Sequence, residues 1–250
     1  MPSADAGSET STGVSTPSPS TGEDDTSSSG PTQVLDVGPA GPGECVDCSV
    51  RIDSMQSGEL EVSGKEVFAT AELEGTIVYA MGTFGQGRFI ASADSSLPLQ
   101  EETECPLLAW LAGGYEPEPR LLAFGWADDI EIGEHVFPAS IHLPDRYVGA
   151  PELLAEDYDV VIYFEESAYL DDGEQPSNAE LQTVLEFTDA GGGLVVSSEY
   201  AVPGGGYLTP ADIDSVNRIL SPLGLRSLPV SLNWGEVDGV IEFPCFPPVG

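Results

Sequence analysis

Two short, unbroken apolar runs, Val160-Val-Ile-Tyr-Phe164 and Leu194-Val-Val196, flank a segment whose Leu181, Val184, Leu185 and Thr188 recur at helical spacing. Continuous Val- and Ile-rich runs on either side of an amphipathic stretch predict a strand, helix, strand unit of a parallel sheet over residues 157–199. Upstream, residues 49–83 alternate apolar and polar positions and are punctuated by Gly58, Gly64 and Gly75. Several short strands joined by turns are expected there. Gly82-Thr-Phe-Gly-Gln-Gly-Arg88 reads as a tight reversal into a strand over residues 89–94. Residues 104–112 predict a short helix with Pro106 in its first turn, and Arg120-Leu-Leu-Ala-Phe-Gly125 predicts a buried strand. A short helix over residues 151–156 leads back to the central unit. After the Gly-rich stretch 202–210, residues 211–220 predict a helix capped by Thr209, with Pro210 at its first position and Pro222 stopping it. The last thirty or so residues suggest at most one or two strands, near residues 229–232 and 237–243.

The pattern implies an α/β fold, a largely parallel sheet preceded by a β-rich segment. Residues 1–44 are Ser, Thr, Gly, Pro, Asp and Glu with almost no apolar content and are expected to form a disordered tether. A β-rich segment with a short helix is expected over residues 45–117, and an α/β domain over residues 118–250. No apolar run is long enough to span a membrane.

The chain carries 43 acidic residues against 7 basic ones, a formal net charge of −36. Lys65 is its only lysine, and no base precedes Arg51. Such a field repels phosphate backbones, so nucleic-acid binding is excluded. Acidic surfaces of this kind also keep a protein soluble when salt screens charge. Cys45, Cys48, Cys105 and Cys245 can pair in three ways, and neither histidine lies near them in sequence. Structural disulfides in an oxidising compartment are the expectation, rather than zinc. The tether looks like the segment behind the lipid-bearing Cys of bacterial surface lipoproteins, so an extracellular, cell-surface or periplasmic location is expected. A cytoplasmic chain with a disordered tail is the alternative.

Three segments together resemble a known family. Residues 82–88 with the strand behind them, and Leu107-Leu-Ala-Trp-Leu-Ala-Gly-Gly114, are similar to the "GxGR, strand, loop, NAxxWL" segment of the TRP-channel-associated factor family and its bacterial relatives. Residues 187–198 resemble that family's "FVxxGGGLLIGG", and Asn217-Arg-Ile-Leu-Ser-Pro-Leu-Gly224 its "GNxxLNPLGI". Order and spacing agree over roughly residues 60–226. The resemblance implies a three-layer, flavodoxin-like or class I glutamine-amidotransferase-like α/β region. The chain holds only His135 and His142 and no His-Glu-x-x-His, so the enhancin-like metallopeptidase activity of many members does not carry over. Where the family has "GGQAW", this chain has Ser197-Ser-Glu-Tyr-Ala201.

In that fold the nucleophile follows a central strand, where Ser197 and Ser198 fall. With Glu199 and either His135 or His142 they are the catalytic candidates, although Val196, Glu199 and Tyr200 crowd a position that needs small neighbours. Asp128 and Asp129 follow one predicted strand, and Glu165 and Glu166 follow another. Adjacent parallel strands deliver their ends to one edge, so these carboxylates are the candidates for Ca²⁺ or Mg²⁺, with a solvated acidic rim as the alternative. Arg88 is expected to anchor its strand to the neighbouring layer, or else to grip an anionic ligand with Asp94 nearby. Trp126 beside Asp128 could stack on a sugar. Three functions stand open. The first is a non-catalytic module binding a protein or glycan, the second a hydrolase using a serine at the sheet edge, and the third a structural pseudoenzyme.

Overall fold

The computed structural model describes residues 48–73, 75–93, 107–113, 119–126, 130–132, 135–165, 175–198 and 210–243. The expected tether, the Thr209 cap, and Cys45, Cys105 and Cys245 lie outside them. At the centre is the expected unit: β8 (Val160–Glu165), α3 (Asn178–Asp189) and β9 (Gly193–Ser198), with β8 and β9 parallel neighbours. They belong to a six-stranded sheet of order β2-β3-β4-β9-β8-β5, with β2 (Val67–Leu73), β3 (Thr76–Phe84), β4 (Gly87–Ser92) and β5 (Leu121–Phe124). Strands β4, β9, β8 and β5 run parallel, and β3 runs antiparallel to both β2 and β4. The fold is therefore mixed α/β. Strands from both sides of residue 117 share this one sheet.

The central strands are buried on both faces, β8 and β9 at every position. Val161, Tyr163, Leu194, Val196, Phe89 and Ala91 join one core with Leu181, Val184 and Leu185 of α3 and Val216 and Ile219 of α4 (Pro210–Leu220). The other face carries α1 (Leu107–Leu111), whose Leu111 carbonyl lies 2.8 Å from where a Cβ on Gly193 would stand. The three consecutive glycines have separate reasons. Gly191, at φ 124, and Gly192 donate to the Thr188 and Phe187 carbonyls at 3.0 and 3.1 Å, the paired bonds of a Schellman ending for α3. Gly192 also lies against the Phe187 ring, leaving no room for a side chain. The reversal at Gly85, at φ 59, joins β3 to β4 as expected.

One region departs from the sequence pattern. Gly58 and the prolines predict short strands with turns over residues 49–62 and in the C-terminal stretch. Instead β1 (Cys48–Val62) and β10 (Leu225–Phe243) are single long strands paired antiparallel as a two-stranded ribbon. The apparent breakers sit at register shifts. Glu59 pairs with Leu228 and Ser57 with Leu232, so Pro229 falls in a bulge that does not need its missing N–H. The shift between Ser54 and Gln56 takes up Gly235 in the same way. Asn217 fastens the base of the ribbon to α4, donating to the Ser227 carbonyl at 3.1 Å and accepting from the Ser227 N–H at 2.7 Å.

Ahead of His142, β6 (Ile130–Ile132) and β7 (His135–Phe137) pair antiparallel. The helix expected over residues 151–156 is α2 (Pro151–Asp157). Among the described residues no helix is long and apolar enough to cross a membrane.

Candidate functional site

Strands β4, β9, β8 and β5 end at one edge, where the register sets Ser92 beside Ser197, Phe164 beside Ser197, and Glu165 beside Ser198. Buried polar side chains gather here. Ser92, Glu165, Ser197 and Ser198 in the sheet and Ser215 on α4 are each 3 % exposed or less, among mostly apolar neighbours. Desolvating such groups is costly unless each is bonded, so their partners define what the edge can do.

Ser198 faces the α3/α4 side and donates its hydroxyl to the Ser92 carbonyl at 3.1 Å. On the same side, Glu165 accepts at Oε2 from Tyr163 Oη and, at 3.1 Å, from Ser215 Oγ on α4. Ser215 Oγ in turn accepts from Arg218 Nη2 at 2.8 Å, so a relay links the arginine to the buried carboxylate. Arg218 also donates to Asn178 Oδ1 at 2.8 Å and to the Pro176 carbonyl at 3.0 Å. It thereby ties the start of α3 to α4. Burial, then the adjacent Glu165 charge, pushes the Tyr163 phenol well above its ordinary value and keeps it a donor.

His142 lies at the start of α3. Its Nδ1 is 3.1 Å from Glu180 Oε1, which also accepts the Leu143 N–H at 2.9 Å. A carboxylate only accepts, so the ring carries its proton on Nδ1. Glu180 closes a capping box with Ser177, taking the Ser177 N–H at 2.6 Å while its own N–H reaches Ser177 Oγ at 3.3 Å. Burial alone would raise the Glu180 carboxyl, but the Ser177 bonds, the His142 ring and the Leu143 N–H outweigh it and hold the group below its ordinary value. The orienting carboxylate of His142 is thus Glu180, absent from the candidates read from the sequence. Its signal is Ser177-Asn-Ala-Glu180, the spacing of a capping box ahead of an apolar run.

The other candidates scatter. Arg88 pairs with Gly193 at the opposite, amino edge of the sheet, donates to the Trp110 carbonyl at 2.9 Å and lies over the Trp110 ring. It ties β4 to α1, which is the anchoring role. Trp126 does reach the carboxyl edge, half-buried, packed edge-on to Phe164 at 5.6 Å and bridged to Ser140. His135 is placed in β7. Asp94, Asp128, Asp129, Glu166 and Glu199 lie outside the described residues. Among those described, no group of three or more His, Cys, Asp or Glu side chains could hold a metal ion.

Comparison with known proteins gave no match to any protein family, curated protein or solved structure.

Proposed function

We propose that the chain is a non-catalytic module that binds a protein or glycan at the carboxyl edge of its sheet. The observation that carries this reading is the bond from the buried Ser198 hydroxyl to the Ser92 carbonyl. A nucleophilic serine needs its proton directed at a base and its oxygen open to a carbonyl carbon. Ser198 has its proton directed at the backbone. Glu165, the buried carboxylate beside it in register, accepts from Tyr163 and Ser215 and serves as a brace between β8 and α4. On this reading the arrangement is flavodoxin-like or amidotransferase-like, in keeping with the motif resemblance to the TRP-channel-associated factor family. An outward-facing, surface-tethered location fits the acidic, Ser/Thr-rich leader. A fluorophosphonate probe tests it directly: the folded chain should take no label, and stoichiometric labelling of Ser197 or Ser198 would overturn the reading.

The hydrolase alternative draws on one observation. A half-exposed His142 held at Nδ1 by Glu180 has the tautomer and the orienting carboxylate of a general base. That reading predicts that His142→Ala abolishes probe labelling of a serine. A capping role predicts only a loss of stability.

A further inference from the structure

Gly58 donates to the Ala93 carbonyl, just past the end of β4, at 2.7 Å, and Ser63 and Gly64 donate to the Gly224 carbonyl at 2.8 and 2.9 Å. Glu66 then accepts from Thr83, which pairs with Arg88 at the start of β4. From Gly58 onward the chain therefore runs from the carboxyl edge of β4 to its amino edge. Residues 48–57 continue in the opposite direction, past the carboxyl edge, with β10 paired alongside as far as Phe243. At about 3.3 Å per residue this is roughly 30 Å of paired ribbon beyond the Gly58–Ala93 bond. Among the described residues the ribbon has two strands, and a lone two-stranded ribbon is marginal in water. Among the described residues no third strand pairs with it beyond the Gly58 bond, and an unpaired strand edge presents backbone donors and acceptors, the template for strand addition.

We propose that this ribbon is a docking arm that receives an extended, lysine- or arginine-rich segment of a partner protein as an added strand. Charge chooses the occupant. In the ribbon the acidic residues outnumber the two arginines, Arg51 and Arg226, on a chain of net charge −36. A second copy would bring the same charge against it, and the 50 residues before Arg51 contain no base with which to complement it. A cationic strand from another protein gains attraction along its side chains and hydrogen bonds along its backbone. The inference goes beyond the reading above and stands independently of it, since it concerns the ribbon and not the serines of the carboxyl edge.

The test uses the full chain and two fluorescent peptides of about ten residues, each alternating Lys with Val or Thr. In the second peptide every other backbone amide is N-methylated, which keeps the charge and removes the donors of one edge. The unmodified peptide should bind at least about tenfold more tightly by fluorescence anisotropy, and slow hydrogen exchange within residues 48–62 and 225–243. Equal affinities would mean that charge alone attracts the peptide. Protection elsewhere, or a dimer by sedimentation with the ribbon already protected, would also overturn the proposal. Turnover that depends on Ser198 would overturn the binding-module reading and leave peptide addition intact. Equal peptide affinities would do the reverse.

Discussion

The Ser198 hydroxyl donates to the carbonyl of Ser92, the strand β9 side chain holding the last residue of β4 at 3.1 Å. Both residues are buried at the carboxyl edge, so the bond joins two parallel strands where their ladder ends. Ser198→Ala should therefore behave as a structural change. It removes one buried hydrogen bond and should lower unfolding stability by about 1 kcal/mol, read as a shift in the urea midpoint with an unchanged slope.

Ser215 couples Glu165 to Arg218. Its hydroxyl gives its proton to the carboxylate and accepts one from the guanidinium. Glu165→Gln and Arg218→Met should each cost about 1–3 kcal/mol. The double variant should lose less than the sum, by about 1 kcal/mol of coupling. Strict additivity in a denaturation cycle would remove the relay from the account.

The capping box gives a pH dependence with a definite sign. The Glu180 carboxyl sits below its ordinary value of 4.5 when folded, because the Ser177, His142 and Leu143 contacts favouring its charge outweigh burial. Its stabilisation is complete above that value and is lost as the pH falls through the lower folded value. Glu180→Gln should be less stable than the parent by about 1 kcal/mol at pH 7. The gap should narrow as the pH drops below 4.5. A gap that widened in acid would contradict the assignment.

Much of the central unit is legible in the sequence, because its signals are local. Unbroken Val and Ile runs, the Leu181, Val184 and Leu185 stripe and the Gly-rich ending each report on neighbours within a few residues, and β8, α3 and β9 follow from them. The ribbon is not legible for the opposite reason. Val62 pairs with Leu225 and Cys48 with Phe243, partners more than 160 residues away, and bulges absorb Pro229 and Gly235 without ending the strand. The site divides along the same line. Placing Ser198 and Glu165 side by side needs only the parallel order of two adjacent strands. The bonds that decide their chemistry come from Ser92 on β4 and Ser215 on α4, and no spacing announces them. Arg88 belongs with the legible part, since a base fixed by a glycine turn suggests an anchor between layers, and it lies at the amino edge against Trp110.

Two glycines separate backbone freedom from close approach. Gly149 has φ 76, and nothing lies within 4 Å of where its Cβ would stand, so Gly149→Ala should cost only the strain of a left-handed backbone, about 1 kcal/mol. At Gly192 a methyl group meets the Phe187 ring. Gly192→Ala should cost more, about 3 kcal/mol, as overpacking of a rigid aromatic contact. Thermal unfolding of the two variants side by side gives the comparison.

The central claim is that the carboxyl edge binds and does not turn over. The full chain, Ser198→Ala and His142→Ala should be assayed together against a panel of ester, amide and glycoside substrates. The account predicts the same background rate for all three proteins. A turnover shown by the parent and abolished in Ser198→Ala, with that variant still folded, would contradict it.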